Sequence, residues 1–141
     1  MTDLWKLQRD TAFVKHAESK SLLVGSLYEN GYLFHLATKE VTYINWFYGN
    51  PTCAMISDDE QWAVIGGGEL LTVWKNQAIF DIALAWPYDM RQSGPGIAHV
   101  LTDPWMEDAA VWELHIATLD VQKVRDFREY IGKAYTELII W

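Results

Sequence analysis

From residue 21 to residue 117 the chain is broken into short apolar, aromatic-rich runs closed by Gly, Asn, Asp or Pro, and this punctuation constrains the fold more than any other feature. Such runs are too short for stable helices and read as β-strands joined by turns. Residues 22–28 and 32–37 flank Glu29-Asn30-Gly31, where Asn-Gly supplies the positive φ angles of a tight hairpin. Residues 41–47 form a strand that closes at Gly49-Asn50-Pro51. Residues 52–56 and 61–65 then pair across an exposed turn, Ser57-Asp58-Asp59-Glu60. Gly66-Gly67-Gly68 bends or bulges the backbone ahead of a strand at 70–74, and residues 78–86 make another. Residues 87–108 read as irregular apart from 97–101, and residues 111–117 alternate as a half-buried strand should.

The two ends read differently. Residues 3–17 carry a weak helical spacing with Thr2 as a possible cap. Val121, Val124, Phe127, Ile131, Tyr135 and Leu138 recur at spacings of three and four, the signature of one helix face. Asp120 stands as its N-cap, and Leu119 with Val124 as a hydrophobic staple. Gly132 interrupts this helix, so residues 133–141 fit either its continuation or a terminal strand. The expected fold is therefore α+β, an antiparallel meander with a C-terminal amphipathic helix packed on one face. With neither a linker nor an internal repeat, residues 1–141 read as a single domain.

A chain of 141 residues buries enough surface to fold without a disulfide framework, and its single cysteine, Cys53, cannot form an internal bridge. No stretch is long and apolar enough to span a membrane, and no signal-like leader opens the chain, so the expected location is cytoplasmic. The net charge of −8 is unevenly placed: between Glu40 and Leu119 eleven acids face two bases, Lys75 and Arg91. A field of that sign repels phosphate backbones, which argues against direct nucleic-acid binding, and attracts cations and basic proteins. A negative balance also serves plain solubility.

No residue pattern announces catalysis. His16, His35, His99 and His115 never take a metal-ligand spacing, and the acidic turn at 58–60 lacks the ligand order of a calcium loop. Cys53 sits in a strand-like context and reads as a buried, inert thiol. Gly66-Gly67-Gly68 precedes Glu69 rather than Lys-Ser/Thr, which excludes a phosphate loop. No catalytic residue, metal or cofactor is therefore assigned.

Aromatic content is the remaining signal. The chain has eight tryptophans and seven tyrosines, side chains that anchor protein interfaces. Trp62, Trp74 and Trp112 fall within strand patterns and read as core, whereas Trp86, Tyr88 and Trp105 flank the Pro/Gly-punctuated stretch beside Asp89, Asp103, Glu107 and Asp108. These residues, with Asp58, Asp59 and Glu60, are the candidate partner-binding set. The run from Cys53 to Trp74, CAMISDDEQWAVIGGGELLTVW, resembles the strand-rich immunity proteins that neutralise bacterial polymorphic and contact-dependent toxins. It also resembles one blade of a β-propeller, although 141 residues without a repeat cannot make a propeller. The first resemblance implies a basic toxin domain as partner, often a nuclease, blocked by occupancy. The expected function is thus a non-enzymatic acidic binding protein of immunity type. The alternative is a small enzyme or small-molecule-binding domain with a tryptophan-lined pocket between sheet and helix.

Overall fold

In the computed structural model, which describes residues 3–141, the alternation of apolar runs and turn formers resolves into strands almost throughout. The first sheet holds β1 (Phe13–Glu18), β2 (Leu22–Leu27), β3 (Asn30–His35) and β4 (Glu40–Trp46). The second holds β5 (Cys53–Ile56), β6 (Trp62–Gly67), β7 (Leu70–Lys75) and β8 (Ala78–Ala83). The third holds β9 (Pro87–Gly94), β10 (Ile97–Thr102), β11 (Ala110–His115) and β12 (Asp120–Asp126). Each sheet is an antiparallel meander whose strand order follows the chain. Successive sheets approach most closely along their first strands, β1 beside β5 and β5 beside β9. The sheets therefore fan out from one edge, the way the four-stranded blades of a β-propeller do.

This architecture replaces the expected α+β fold, and it contains the repeat that the sequence reading missed. Sheets 1 and 3 share a turn segment, His35-Leu-Ala-Thr-Lys-Glu-Val41 and His115-Ile-Ala-Thr-Leu-Asp-Val121. In both, the histidine carbonyl accepts from the N–H of the residue at the turn's left-handed position, Lys39 (2.8 Å, φ 63°) or Leu119 (2.7 Å, φ 66°). In both, the threonine hydroxyl accepts from the next acid's N–H, Glu40 or Asp120, at 3.3 Å. A buried phenylalanine then follows β4 and β12 alike, Phe47 bonded to Glu29 and Phe127 to Ala109 through the backbone.

The predicted C-terminal helix is absent. Residues 120–126 instead pair with β11, and the register skips Val124, since Val111 faces Arg125 while Trp112 faces Lys123. This bulge puts an extra residue into the strand and reverses the phase of its side chains. Val121 packs toward sheet 2, Phe127 packs on the opposite face of sheet 3, and Val124 is left half-exposed. A strand with one bulge thus imitates helical spacing. Beyond it the chain turns, with Gly132 at φ 77°, and runs on as an extended tail with no strand partner. Three smaller readings also change. The N-terminal segment is a 3-10 helix, Leu4–Arg9, capped by the Asp3 carboxylate on Trp5 N–H and followed by β1; the proposed Thr2 cap lies outside the described residues. Residues 87–94 form β9, whose opening Pro87 needs no ladder donor. The first hairpin turns at Tyr28-Glu29, because Leu27 pairs with Asn30.

The core is laid down in layers. Leu22, Val24, Leu33 and Ile44 of sheet 1 pack on Ala63, Ile65 and Trp74 of sheet 2. The other face of sheet 2, with Met55, Trp62, Val64 and Val73, packs on Met90, Ala98, Val100 and Leu114 of sheet 3. Buried on both faces, β6 is apolar or glycine at every position. The terminal segments cover the outer faces. Trp5 and Phe13 meet the buried Phe34 ring edge-on at 6.0 and 5.5 Å, and Ile139 and Trp141 lie over Leu101, Val111 and Phe127. No helix among the described residues is long and apolar enough to cross a membrane.

Cys53 sits inside the sheet 2–sheet 3 layer, where burial pushes its thiol up to about 12. The thiolate is therefore scarce at neutral pH. A thiol reagent is expected to label the native chain orders of magnitude more slowly than the urea-unfolded chain. Equal rates would mean that this layer opens readily.

Candidate functional site

An antiparallel meander turns over alternately at its two ends, so every connection belongs to one end of the fan or the other. At one end the connections are stitched together by backbone hydrogen bonds. Phe47 N–H donates to the Glu29 carbonyl (2.9 Å), Trp86 N–H to Gly68 (2.6 Å) and Asp103 N–H to Trp86 (2.9 Å). At the other end Asp58 N–H donates to the Gln92 side chain (2.8 Å), and Lys75 donates to the carbonyls of Ile116 and Ala117. The Glu60 carboxylate there accepts from the Ser19 hydroxyl and from Ser21 N–H.

The two ends differ in chemistry. The first carries Tyr28, Trp46, Tyr48 and Trp86, exposed by 64, 45, 78 and 47%. Three of these, Tyr28, Tyr48 and Trp86, have φ of 54°, 56° and 59°. Bulky side chains avoid this left-handed region at a cost of about 1–2 kcal/mol each. Such strain persists only where the surroundings impose it, and it gathers at functional sites. Trp86 is held by its two backbone bonds, to Gly68 and from Asp103. Tyr48 lies on Trp46 at a centroid distance of 4.1 Å, and the Trp46 indole N–H donates to the Glu29 carboxylate. Among the described residues, the other non-glycine positions with positive φ, Lys39, Glu60, Asn76, Gln77 and Leu119, are all at the second end, none of them aromatic.

Phe47, Tyr48, Gly68, Glu69, Leu70 and Trp86 line a groove of about 400 Å³ at the aromatic end. The three glycines explain why it can form. They do not bulge the ladder, since β6 pairs with β7 without a register shift. Instead, Cβ atoms on Gly66 and Gly67 would stand 2.9 Å from Pro87 and Pro51, so their absence lets both connections close over the end of sheet 2. Gly68 turns at φ 57°, where any side chain would also meet the Phe47 carbonyl at 3.0 Å. The gap between sheets 1 and 2 beside Leu33, Ile65 and Trp74 measures only about 10 Å³, too small for a ligand.

The sequence-predicted set is split by this geometry. Trp86, Asp103 and Asp108 do come together, with Met106 and Trp112, around a small hollow of about 70 Å³ beside the groove, and Glu107 is exposed on the same connection. Trp105 instead packs against Tyr130 and Tyr135 of the tail, its indole N–H buried without an acceptor among the described residues. Tyr88 lies in the cluster under the tail, and Asp89 accepts from the Trp141 indole N–H (3.0 Å). Asp58, Asp59 and Glu60 form the predicted hairpin turn, but at the opposite end, where Asp58 and Asp59 border a separate groove with Gln92 and Pro95. Asp59 caps its own turn through Ser57 and Gln61. The sequence reading passed over Tyr28, Trp46 and Tyr48. Their signal was an aromatic at or just beyond each strand end, next to a turn.

Hydrogen bonds from Ser19 and Ser21 hold the Glu60 carboxyl below the usual glutamate value of 4.5. A carboxylate lowered in the folded state stabilises the fold above its unfolded pKa, and that contribution disappears as pH falls through the folded value. Glu60→Gln is accordingly expected to destabilise the chain at pH 7 more than at pH 3 and to flatten the acid limb of its stability profile. An unaltered profile would show that the tie between sheets 1 and 2 contributes nothing.

Comparison with known proteins places the fold and stops there. No family model and no curated protein matches the chain. Among solved structures, it is similar to Kuenenia stuttgartiensis hydrazine synthase, with a TM-score of 0.62 and 17% identity over 76% of this chain and 33% of that one. It is also similar to a chain of a nidogen/laminin complex, with a TM-score of 0.55 and 14% identity over 81% of this chain and 49% of that one. The chain thus spans about a third to a half of these structures, and at such identities the likeness is one of fold.

Proposed function

We propose that this chain is a non-enzymatic binding module that engages a cationic protein partner through the aromatic end of the fan. One observation carries the reading: exposed aromatics held in costly backbone conformations are gathered at that end, on connections that also bear Glu29, Glu69, Asp103, Glu107 and Asp108. Rigid aromatics supply packed contact area, and rim carboxylates steer a basic surface toward it. Blocking a basic toxin domain by occupancy is the specific form that the sequence resemblance suggests.

Binding to a panel of basic nuclease domains, followed across a salt series, tests this. Association is expected to slow as salt screens the carboxylates beyond about 8 Å at physiological ionic strength. The triple variant Asp103→Asn, Glu107→Gln, Asp108→Asn should lower the on-rate several-fold with little change in off-rate. Salt-independent association, or indifference of the panel to the triple variant, would refute the reading. The immunity form requires in addition that the bound nuclease lose activity.

A further inference from the structure

We infer that the groove between Tyr48 and Trp86 seats one lysine or arginine side chain of the cationic partner, an inference that rests on the function proposed above. Tyr48 is largely exposed and Trp86 about half exposed, and both line the same groove, whose lining also contains Glu69 and no basic residue. The sign of charge there selects a cation and repels an anion. Aromatic faces attract ammonium and guanidinium groups through the ring quadrupole, an interaction that strengthens as the site is desolvated. A carboxylate at the rim adds a charge-assisted hydrogen bond.

The remaining lining residues suit the rest of such a side chain. Leu70 is half-buried and presents apolar surface to a methylene stem while the charged head stays near Glu69. At about 400 Å³ the groove has room for one extended side chain. Glu29, bonded to the Trp46 indole, fixes the stack on which Tyr48 rests and adds a second negative charge. The acidic groove at the opposite end, beside Asp58 and Asp59, has no aromatic in its lining and serves as an internal control.

Tryptophan fluorescence of the whole chain, titrated at low salt, decides the matter with four probes: an oligo-lysine peptide, an oligo-arginine peptide, a Gly-Ser peptide of equal length and a neutral oligosaccharide. Saturable binding of the two cationic peptides alone is expected. Tyr48→Ala and Trp86→Gly should each weaken it about tenfold and Glu69→Gln about threefold, while the pair Asp58→Asn, Asp59→Asn leaves it unchanged. Thermal melts confirm folding; should Trp86→Gly fail to fold, the well-exposed Tyr48 carries the test alone. If the triple variant of Asp103, Glu107 and Asp108 weakens oligo-lysine binding while the groove variants do not, the seat is refuted and the cationic-partner reading stands. Equal losses from the Asp58/Asp59 pair would reduce the effect to general polyelectrolyte attraction and refute the seat. Preference for the oligosaccharide, abolished by the groove variants, would overturn the cation assignment. Failure of both cationic peptides to bind would overturn the seat and the function together.

Discussion

Phe127→Ala is expected to lower the stability of the fold by about 3–5 kcal/mol, the usual cost of removing a fully buried phenylalanine. The ring is buried among Leu101, Ala109 and Val111, and stacks on Tyr130 at 5.8 Å with the tail residues Ile139 and Trp141 in the same cluster. The loss should therefore be local as well as global: trypsin should gain access to Arg128 and Lys133 before the sheets unfold. Urea denaturation and timed proteolysis separate the two effects. A stability loss under 1 kcal/mol, or a tail that stays protected, would show that Phe127 does not hold the cover over sheet 3. Phe47, its counterpart after sheet 1, is buried between sheets 1 and 2 and should cost a similar amount.

The second large effect separates stability from binding. At Tyr48 and Trp86 the backbone sits where alanine is strained and glycine is not. Tyr48→Gly should thus be about 1 kcal/mol more stable than Tyr48→Ala, and Trp86→Gly likewise against Trp86→Ala. Both members of each pair lose the ring, so both should bind the cationic peptide about tenfold more weakly. Alanine variants as stable as the glycine ones would mean the backbone relaxes freely at these positions, and the aromatics would no longer count as held in place.

The strands were more legible than the fold class. The punctuated runs from 22 to 74 gave β2 to β7 nearly to their ends, and the turn at 58–60 fell where the Asp-Asp-Glu sequence suggested, whereas β1 lay inside a segment read as helical. Where the reading failed, tertiary pairing outweighed local pattern. Val121, Val124 and Phe127 imitate a helix face because a bulge at Val124 shifts the strand's alternation, and nothing local to 120–127 reveals that β11 lies alongside. The polar run from Tyr88 to Ser93 hides β9, whose buried positions are only Pro87 and Met90. The repeat was visible in the shared His-Leu/Ile-Ala-Thr segment, but sheet 2 makes the corresponding turn with only Asn76-Gln77, which breaks the period.

For the candidate site, the sequence showed the association of aromatics and acids near Trp86 and Asp103, which the fold keeps together. It could not show that Trp105 would be used to seat the tail, nor that the acids at 58–60 would fall at the far end. Strand direction decides that. Tyr48 and Trp86, far apart in the chain, become neighbours because β4–β5 and β8–β9 turn over on the same side of the fan.

Layering of the three sheets also fixes how disturbance travels. The two main apolar layers each join adjacent sheets, so cohesion is of nearest-neighbour kind, as in stacked repeat arrays. Loosening at either outer face has the middle sheet as its apolar route to the other. Sheet 2 is therefore the cooperative hinge of the chain. Hydrogen exchange is therefore expected to be fastest in the covered flanks and slowest in sheet 2, which contributes to the lining of the groove.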